Sequence, residues 1–490
     1  GGLEVLLPPM ARGNSVIKDC FRQKLQTVGH IYIISAAMKD FKLKKYAVPE
    51  VLLLAILVVG LIISQSIVLS RSYIKLSAPY EVPASGFFFS MPTGAGWQTG
   101  GALKFAQNSW YLTSAQGGEV KNTTSLTVSY LLAAGEPDVN DWLGSKADQL
   151  GQNLGSGRII KGKDIVTYAA IIDLRGKPLN IFYGIAPLPG GRNVIIELVD
   201  TADDPERGWE ILTKIAQSFV FKGNPLLDEG DKLVASLRSK GLGSVLGVSK
   251  QANYFLISEK DSTEGFEADI YARTDGQAAE NVRAVNSYFL RNLGGEESVL
   301  HTNDRFDRFL WTSSLLGSSG AKRGEIEMRL GDGAMSIMQR GHLVGKYVPG
   351  PAAVPESFSI AVFRQMIADG MKQALIDFIS SEGQIKPGLV RLQDKPADSN
   401  SEASHIISIK YFADDDISEE IQLDAEGQIV SDTLSGRLSY VLRRSSKEII
   451  LSEFPQWLEY INNFDKLLEN SSTGGKIDLR RVVRNVRANI

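Results

Sequence analysis

The sequence predicts an α+β protein that opens with a single N-terminal transmembrane helix. It continues as an antiparallel-sheet α/β sandwich domain and then a mainly antiparallel β domain with covering helices. Three observations predict this order. One uncharged stretch is long enough to cross a bilayer, short alternating apolar runs fill most of the chain beyond it, and a few amphipathic segments at helical spacing lie between those runs.

At 490 residues the chain exceeds one ordinary domain, and its composition suits two or three folded units. Charged residues make up 22% and the net charge is −3, so no basic bias points to nucleic acid. The only cysteine, Cys20, precedes the apolar stretch, so no disulfide forms within the chain. A long exported region without cysteine suits a bacterial envelope better than a eukaryotic secretory route.

Residues 1–46 read as a cytoplasmic basic leader. Val16, Ile17, Cys20, Phe21, Leu25 and Val28 fall at helical spacing among Lys18, Arg22 and Lys24, the pattern of a short amphipathic helix at a membrane face. The first nine residues, before Met10, are left out of the fold. The transmembrane helix is placed at 47–70. Within it, 51–69 carries 19 residues without a charge, about 28 Å of helix against a hydrocarbon core of about 30 Å. Lys39, Lys42, Lys44 and Lys45 crowd its N-terminal side, against Arg71 and Lys75 opposed by Glu81 on the other, so the positive-inside rule exports the rest. No small-x-small cleavage site comes after it, and the helix is expected to stay as an anchor in the inner membrane. Residues 71–86 form a stalk.

In 87–224, strands are expected at "GFFFSMP", "SLTVSYLLA", "DIVTYAAIIDL", "LNIFYGIAPL" and "NVIIELVD". Helices are expected at "PDVNDWLGSKADQLGQNL" and "DPERGWEILTKIAQSF", each opening with proline and acidic residues. The opening "FFFSMPTGAGW" and the closing "ILTKIAQSFVF", through Pro92, Trp97, Ser218 and Phe219, resemble the PsbP-like family of small α/β domains. That resemblance implies a non-catalytic binding or assembly domain. Without it, Trp97 and Phe219 read as core aromatics.

Residues 225–469 open with a helix that stops at Gly241 and continue as strands. Asp332-Gly333 marks a hairpin after the alternating run of residues 325–330. A covering helix is expected near 357–381, on Phe363, Met366, Ile367, Met371, Ala374, Leu375, Phe378 and Ile379, and a last amphipathic helix around Trp457, Leu458, Ile461 and Phe464. Such a sheet with a lid helix is similar in expected architecture to the half-barrel of periplasmic lipoprotein carriers of the LolA type, an analogy of shape with no motif behind it. The two exported units show no internal repeat. Residues 470–490 form a basic tail.

No constellation carries chemistry. His30 falls in the leader, and His301, His342 and His405 have no partner at metal-ligand spacing. The glycines of 241–247 lack the phosphate-loop spacing, and Ser244 is not in a nucleophile elbow, so a helix cap is expected there. Asp414, Asp415, Asp416, Glu419 and Glu420 could offer oxygens to calcium, but read as an acidic, solvated hairpin. Asn122 and Asn470 begin acceptor sequons that matter only in a eukaryotic secretory route. No catalytic residue, cofactor or metal site is assigned. The expected function is that of a single-pass, membrane-anchored extracytoplasmic binding or assembly protein. Its partners would be the lipid bilayer and an envelope protein or lipid-like ligand. The alternatives are an anchored hydrolase or a lipid carrier with a half-barrel.

Overall fold

The computed structural model describes residues 53–54, 56–61 and 74–462. Within the last span it omits 95, 118–122, 133–134, 136–137, 175–178, 202–203, 247–251, 261, 274–281, 291–293, 318–321, 395–401, 414–416, 437–438 and 459–460. The chain divides into 1–73 and 74–490. In the first unit, 53–54 and 56–61 are helical and mostly exposed. Among the described residues no helix is long and apolar enough to cross a membrane. The leader helix with Cys20 and His30, the rest of the expected anchor, Phe464 and the basic tail lie outside the described residues.

The second unit is mostly β sheet with a few helices. Its amino-terminal part is an eight-stranded antiparallel sheet. At the centre of that sheet, Thr124–Leu131 lies beside Arg192–Asp200. Two helices lie against it, α1 (Val139–Gln149) and α2 (Pro205–Gln217), each capped by an aspartate, Asp138 or Asp204, that accepts from backbone N–H groups of the first turn. Trp209, Ile211, Leu212 and Ile215 bury the inner face of α2. Helix α1 is shorter than expected. It ends at Gln149, Gly151 turns the chain with φ +63, and Asn153–Lys161 is an edge strand whose first residues the sequence pattern assigns to the helix. Of the residues behind the PsbP-like resemblance, Phe219 is sealed edge-on against Phe87, and Ser218 Oγ accepts from Ser90 N at 3.0 Å. Pro92 is buried and Trp97 half-buried.

The remainder is organised by one fifteen-stranded sheet. The first run of strands, from Asn253–Glu259 to His342–Tyr347, starts at the centre of the sheet and meanders outward to one edge. The second starts at the opposite edge with Ala353–Pro355 and returns strand by strand until Tyr440–Ser445 pairs with Asn253–Glu259. Every neighbouring pair is antiparallel except Ala353–Pro355 with Gln373–Ile379, which is joined through a helix, as parallel pairs must be. The expected hairpin at Asp332-Gly333 forms, with both residues at positive φ (+51 and +76), the geometry of a type I′ turn.

Only residues 348–352 link the two edges. Laid flat, fourteen strand spacings of about 4.8 Å would separate those edges by about 67 Å, whereas six Cα steps span at most about 22 Å. The sheet therefore curls until its ends face each other. Ile337, next to one edge, and Gly383, in the hairpin at the other, touch across the seam, so closely that a Cβ on Gly383 would lie 2.3 Å from Ile337 Cδ1.

Helix α3 (Pro225–Lys240) covers the Ala353–Pro355 edge. Its Arg238 guanidinium donates to the carbonyl oxygens of Pro351 and Ala353 at 3.2 and 3.4 Å, and α4 (Leu242–Leu246) comes after Gly241 as the cap requires. Helix α5 (Ser359–Asp369) lies on the concave face, where Phe363 and Met366 join Trp311, Met328, Phe378 and Val390 in one buried core. The covering helix is eleven residues, not the expected 357–381. Gly370 ends it at φ +66, and Ala374, Leu375, Phe378 and Ile379 belong to a strand buried on both faces. A fully buried strand shows a continuous apolar run, which periodicity alone cannot tell from a buried helix. On the convex face, α6 (Lys447–Glu453) and the turn Pro455–Trp457 seal a second core, Phe454 against Phe266 and Trp457 against Phe289 at 4.2 Å. The last helix, expected around Trp457, is present there as well: Leu458, Ile461 and Asn462 are helical, and Ile461 is buried in this second core.

Arg192, from the amino-terminal sheet, pairs with Asp377 of the long sheet at 3.1 Å with both side chains 5% exposed. Their mutual attraction offsets desolvation only while both are present. Arg192→Met alone is expected to cost about 3–5 kcal/mol in urea unfolding, and Arg192→Met with Asp377→Leu to recover most of it. A second expectation inverts a common rule. Gly→Ala inside a helix usually stabilises by about 0.5–1 kcal/mol. A Cβ on Gly230 of α3, however, would lie 1.8 Å from Leu375 O. Gly230→Ala should therefore lower the melting temperature, by a loss of about 1–3 kcal/mol, and a rise would show that α3 does not seat there.

Candidate functional site

Residues opposite each other on paired strands point to the same face, so the register fixes what lines the concavity. Phe255 stands opposite both Glu267 and Arg444, Glu267 opposite Tyr288, and Tyr288 opposite Glu296. On the other side of the central pair, Ile257 faces Leu442, Leu442 faces Asp432, and Asp432 faces Ile421, two residues along from Glu419. One end of the concave face, toward the start of α5, thus gathers Glu267, Glu296, Glu356, Glu419 and Asp432 with Tyr288, Tyr411 and Tyr440. All eight are half-buried, neither sealed in a core nor free in solvent. Beneath them Phe255, Ile257 and Leu442 form a small apolar floor.

Hydrogen bonds hold most of this ring in place. Tyr411 OH donates to Glu419 Oε2 at 2.6 Å, Ser313 Oγ donates to Glu296 Oε1 at 2.6 Å, and Ser381 N donates to Glu356 Oε1 at 3.1 Å. Asp432 is different, because its carboxyl lies against that of Glu419, with Oδ1 closed to solvent and reached by no N–H or hydroxyl donor. Burial first, and then the charge of Glu419, push the Asp432 carboxyl far above the usual carboxylate range. Two carboxyls so placed hold one proton between them. Burial also raises Glu356, against the pull of Lys386. It pushes Tyr288 up to about 12 and, with the neighbouring carboxylates, raises Tyr411 and Tyr440 further.

The basic residues close by are mostly committed. Arg364 of α5 donates to the carbonyl oxygens of Leu246 and Gly427 at 2.6 and 2.9 Å, and Arg444 pairs with Asp424 at 2.8 Å. Both also line a shallow cleft, open to solvent, between Tyr271, Ile360 and Ile429, which adjoins the mouth through Phe255. Under α5 itself the concavity is filled by side chains.

Few residues singled out from the sequence meet here. His342, His301 and His405 stand on the first, fifth and twelfth strands of the sheet, counted from the His342–Tyr347 edge, and His301 points to the convex face. No group of three metal-ligating side chains is present among the described residues. Ser244 Oγ donates to the carbonyl oxygens of Lys240 and Gly241, and Gly243 N is taken by Asp304 at 3.1 Å, so the segment from Gly241 serves as a cap. Asp414 to Asp416, Asn122 and Asn470 lie outside the described residues. Glu420 is exposed as a solvated hairpin would have it, but Glu419 is not, because it turns into the concavity. Its parity with Ile421 and Leu423 is the signal in the sequence that could have placed it. Nothing local marks Glu267, Glu296, Glu356 or Asp432, which converge only through the curl of the sheet.

No protein-family profile and no curated protein matches the chain. Among solved structures it is similar to a β-barrel-like protein of a domain of unknown function from Brucella abortus. That match has 12% identity and a TM-score of 0.32, and covers 40% of this chain and 94% of that one. It is also similar to LprF from Mycobacterium bovis, with 8% identity and a TM-score of 0.13, covering 45% of this chain and 92% of that one. Both likenesses are too slight to bear on fold or function.

The Asp432 carboxyl ties stability to pH. The folded chain keeps a proton that the unfolded chain releases near pH ~4. Stability is therefore lost as pH rises from there through the raised folded value, and stays lost above it. Asp432→Asn removes the penalty and lets an amide N–H reach Glu419. The variant should melt several degrees above the unsubstituted protein at neutral pH, and the difference should vanish below about pH 4. Equal melting at both pH values would mean that Asp432 is not protonated in the fold.

Proposed function

We propose that this chain is a membrane-anchored, non-catalytic binding protein on the outer side of a bacterial inner membrane, and that the mouth of its curled sheet takes the ligand. The single observation behind the site is the Asp432 carboxyl. It lies against the Glu419 carboxyl in a ring of half-buried acids and tyrosines, a grouping of like charges that costs stability. Anchorage and orientation rest on the uncharged stretch 51–69 and its flanking lysines. For 87–224 the PsbP-like resemblance supports an accessory binding or assembly role.

Two alternatives find less support. A histidine-based hydrolase would bring one of the described histidines to a serine and a carboxylate in one cleft, and the three stand on separate strands away from the mouth. A carrier of acyl chains would need a hollow under α5, where Phe363, Met366, Phe378 and Val390 are buried instead. A photo-crosslinking amino acid at Leu290, beside the apolar floor, tests the site in cells. Intact-mass analysis of the full chain should show a small-molecule adduct there and none from the same probe at the exposed Ile159. An adduct at neither position would overturn the mouth as a site, and a protein joined at Ile159 alone would favour assembly through the open strand Asn153–Lys161.

A further inference from the structure

We infer that a second copy of this chain pairs with the open edge of the amino-terminal sheet, the two Asn153–Lys161 strands lying antiparallel about a two-fold axis at Ile159. The surface is separate from the mouth, and the pairing stands whatever the mouth binds.

The edge is open along its length. Asn153–Lys161 is the last strand of the eight-stranded sheet, paired on one side only, and eight of its nine residues are exposed. Outward-pointing backbone N–H and C=O groups on such a strand are a template for another strand. Its inward pairing is regular from Gly157 to Lys161, opposite Val166 to Ala170, and a bulge interrupts it before Leu154. Ile159 stands opposite Tyr168, and Tyr168 opposite Ile185, which places Ile159 on the face that carries α1, where Trp142 meets Tyr183. There Ile159 is 64% exposed, more than any other large aliphatic side chain of the second unit among the described residues. Leu154 on the same strand and Val166 on the next are exposed too.

The side chains say which strand fits. Edge strands are commonly guarded by cations, and this one carries Arg158 and Lys161. With the axis at Ile159, that residue meets its own copy, Lys161 lies across from Gly157, and Arg158 lies across from Ile160. No two cations then face each other, and the stem of each lysine covers the space a glycine leaves. Arg158 is already held on the other face by Glu206 and the Trp209 ring of α2. Charge is complementary at longer range as well. Lys161 and Lys163, against the one acid Asp164, run toward the end of the other copy's α1, where Asp148 and the carbonyl end of the helix favour cations. A two-fold axis uses each edge once, so the pair closes and does not extend into a fibre. Nine residues a side is small beside the roughly 20–30 of a standard interface, so the pair forms reversibly as concentration rises.

Cysteine pairing tests the register, because Cys20 is the only thiol and Cys20→Ser removes it. Directly opposite residues on antiparallel strands have Cα atoms about 4.5–5.5 Å apart, within the range of about 4.4–6.8 Å that a disulfide spans. In the purified full chain under a mild oxidant, Ile159→Cys should therefore give a disulfide-linked dimer. Lys161→Cys alone should not, since its copy lies four residues along, about 14 Å away, but a mixture of Lys161→Cys and Gly157→Cys chains should join. Sedimentation of the unsubstituted chain should show monomer passing to dimer with concentration. Ile159→Asp, which sets two carboxylates face to face at an exposed position, should weaken that association by about tenfold or more with the melting temperature unchanged. Equal dimer yield from Ile159→Cys and Lys161→Cys, as random collision gives, would overturn the pairing. So would a chain that stays monomeric at every concentration, or a dimer that Ile159→Asp leaves intact.

Discussion

The five residues between Tyr347 and Ala353 constrain everything else in the second unit. They tether strands that a flat sheet would hold about three times farther apart than so short a link can reach. Right-handed strand twist supplies curvature of the needed hand, and the tether fixes how far it goes. Once the sheet is curled, its concave face has to be filled. Helix α5 is placed to do this because the connection from Ala353–Pro355 to Gln373–Ile379 is a parallel crossover that cannot be made by a tight turn. The same curl leaves a seam, and the turns of the amino-terminal sheet occupy it. Asn108 Oδ1 accepts from Ile385 N at 2.7 Å, and Gly350 packs beside Gly190 O.

The filling is incomplete at one end, and that is where the polar side chains gather. In the middle of the concavity, apolar residues from both arms of the sheet meet α5 and exclude water. Toward the start of α5 the chain instead offers glutamates, an aspartate and tyrosines, each only half-buried. An apolar residue at 432 would avoid the cost of desolvating a carboxyl beside another carboxyl. The chain carries that cost, and local conflicts of this kind are where a sequence serves something other than its own folding.

Much of the fold is legible in the sequence because its signals are local. Alternation marks most of the strands, Asp332-Gly333 marks a hairpin, and capping residues with a proline next to them mark α2 and α3. The failures have one physical form. At 373–379 a strand buried on both faces carries no alternation, so it borrows the helical pattern of α5, and only Gly370 separates them. At 153–161 an edge strand contains Gly155 and Gly157 and is almost wholly exposed, so it lacks an apolar pattern altogether. The candidate site is less legible still. Glu419 can be placed inward by its parity with Ile421 and Leu423, but its neighbour Asp432 becomes a neighbour only through pairing, and Glu356 only through the curl.

The hairpin that begins with Gln373–Ile379 joins these parts mechanically. Asp377 on its first strand is locked to Arg192 of the amino-terminal sheet, while Leu375 on the same strand receives α3 at Gly230. A few residues on, Ser381 N holds Glu356 at the mouth, Gly383 meets Ile337 across the seam, and Ile385 N is bound by Asn108. One strand and its turn, from 375 to 385, therefore touch the joint, the seam and the mouth. A shift of the amino-terminal sheet large enough to release Arg192 would displace the residue that positions Glu356. A ligand that draws Glu356 inward would conversely pull on the strand that carries Asp377. Because the intervening contacts are a buried ion pair, hydrogen bonds from the backbone N–H groups of Ser381 and Ile385, and close packing at Gly230 and Gly383, little slack is available to absorb either movement.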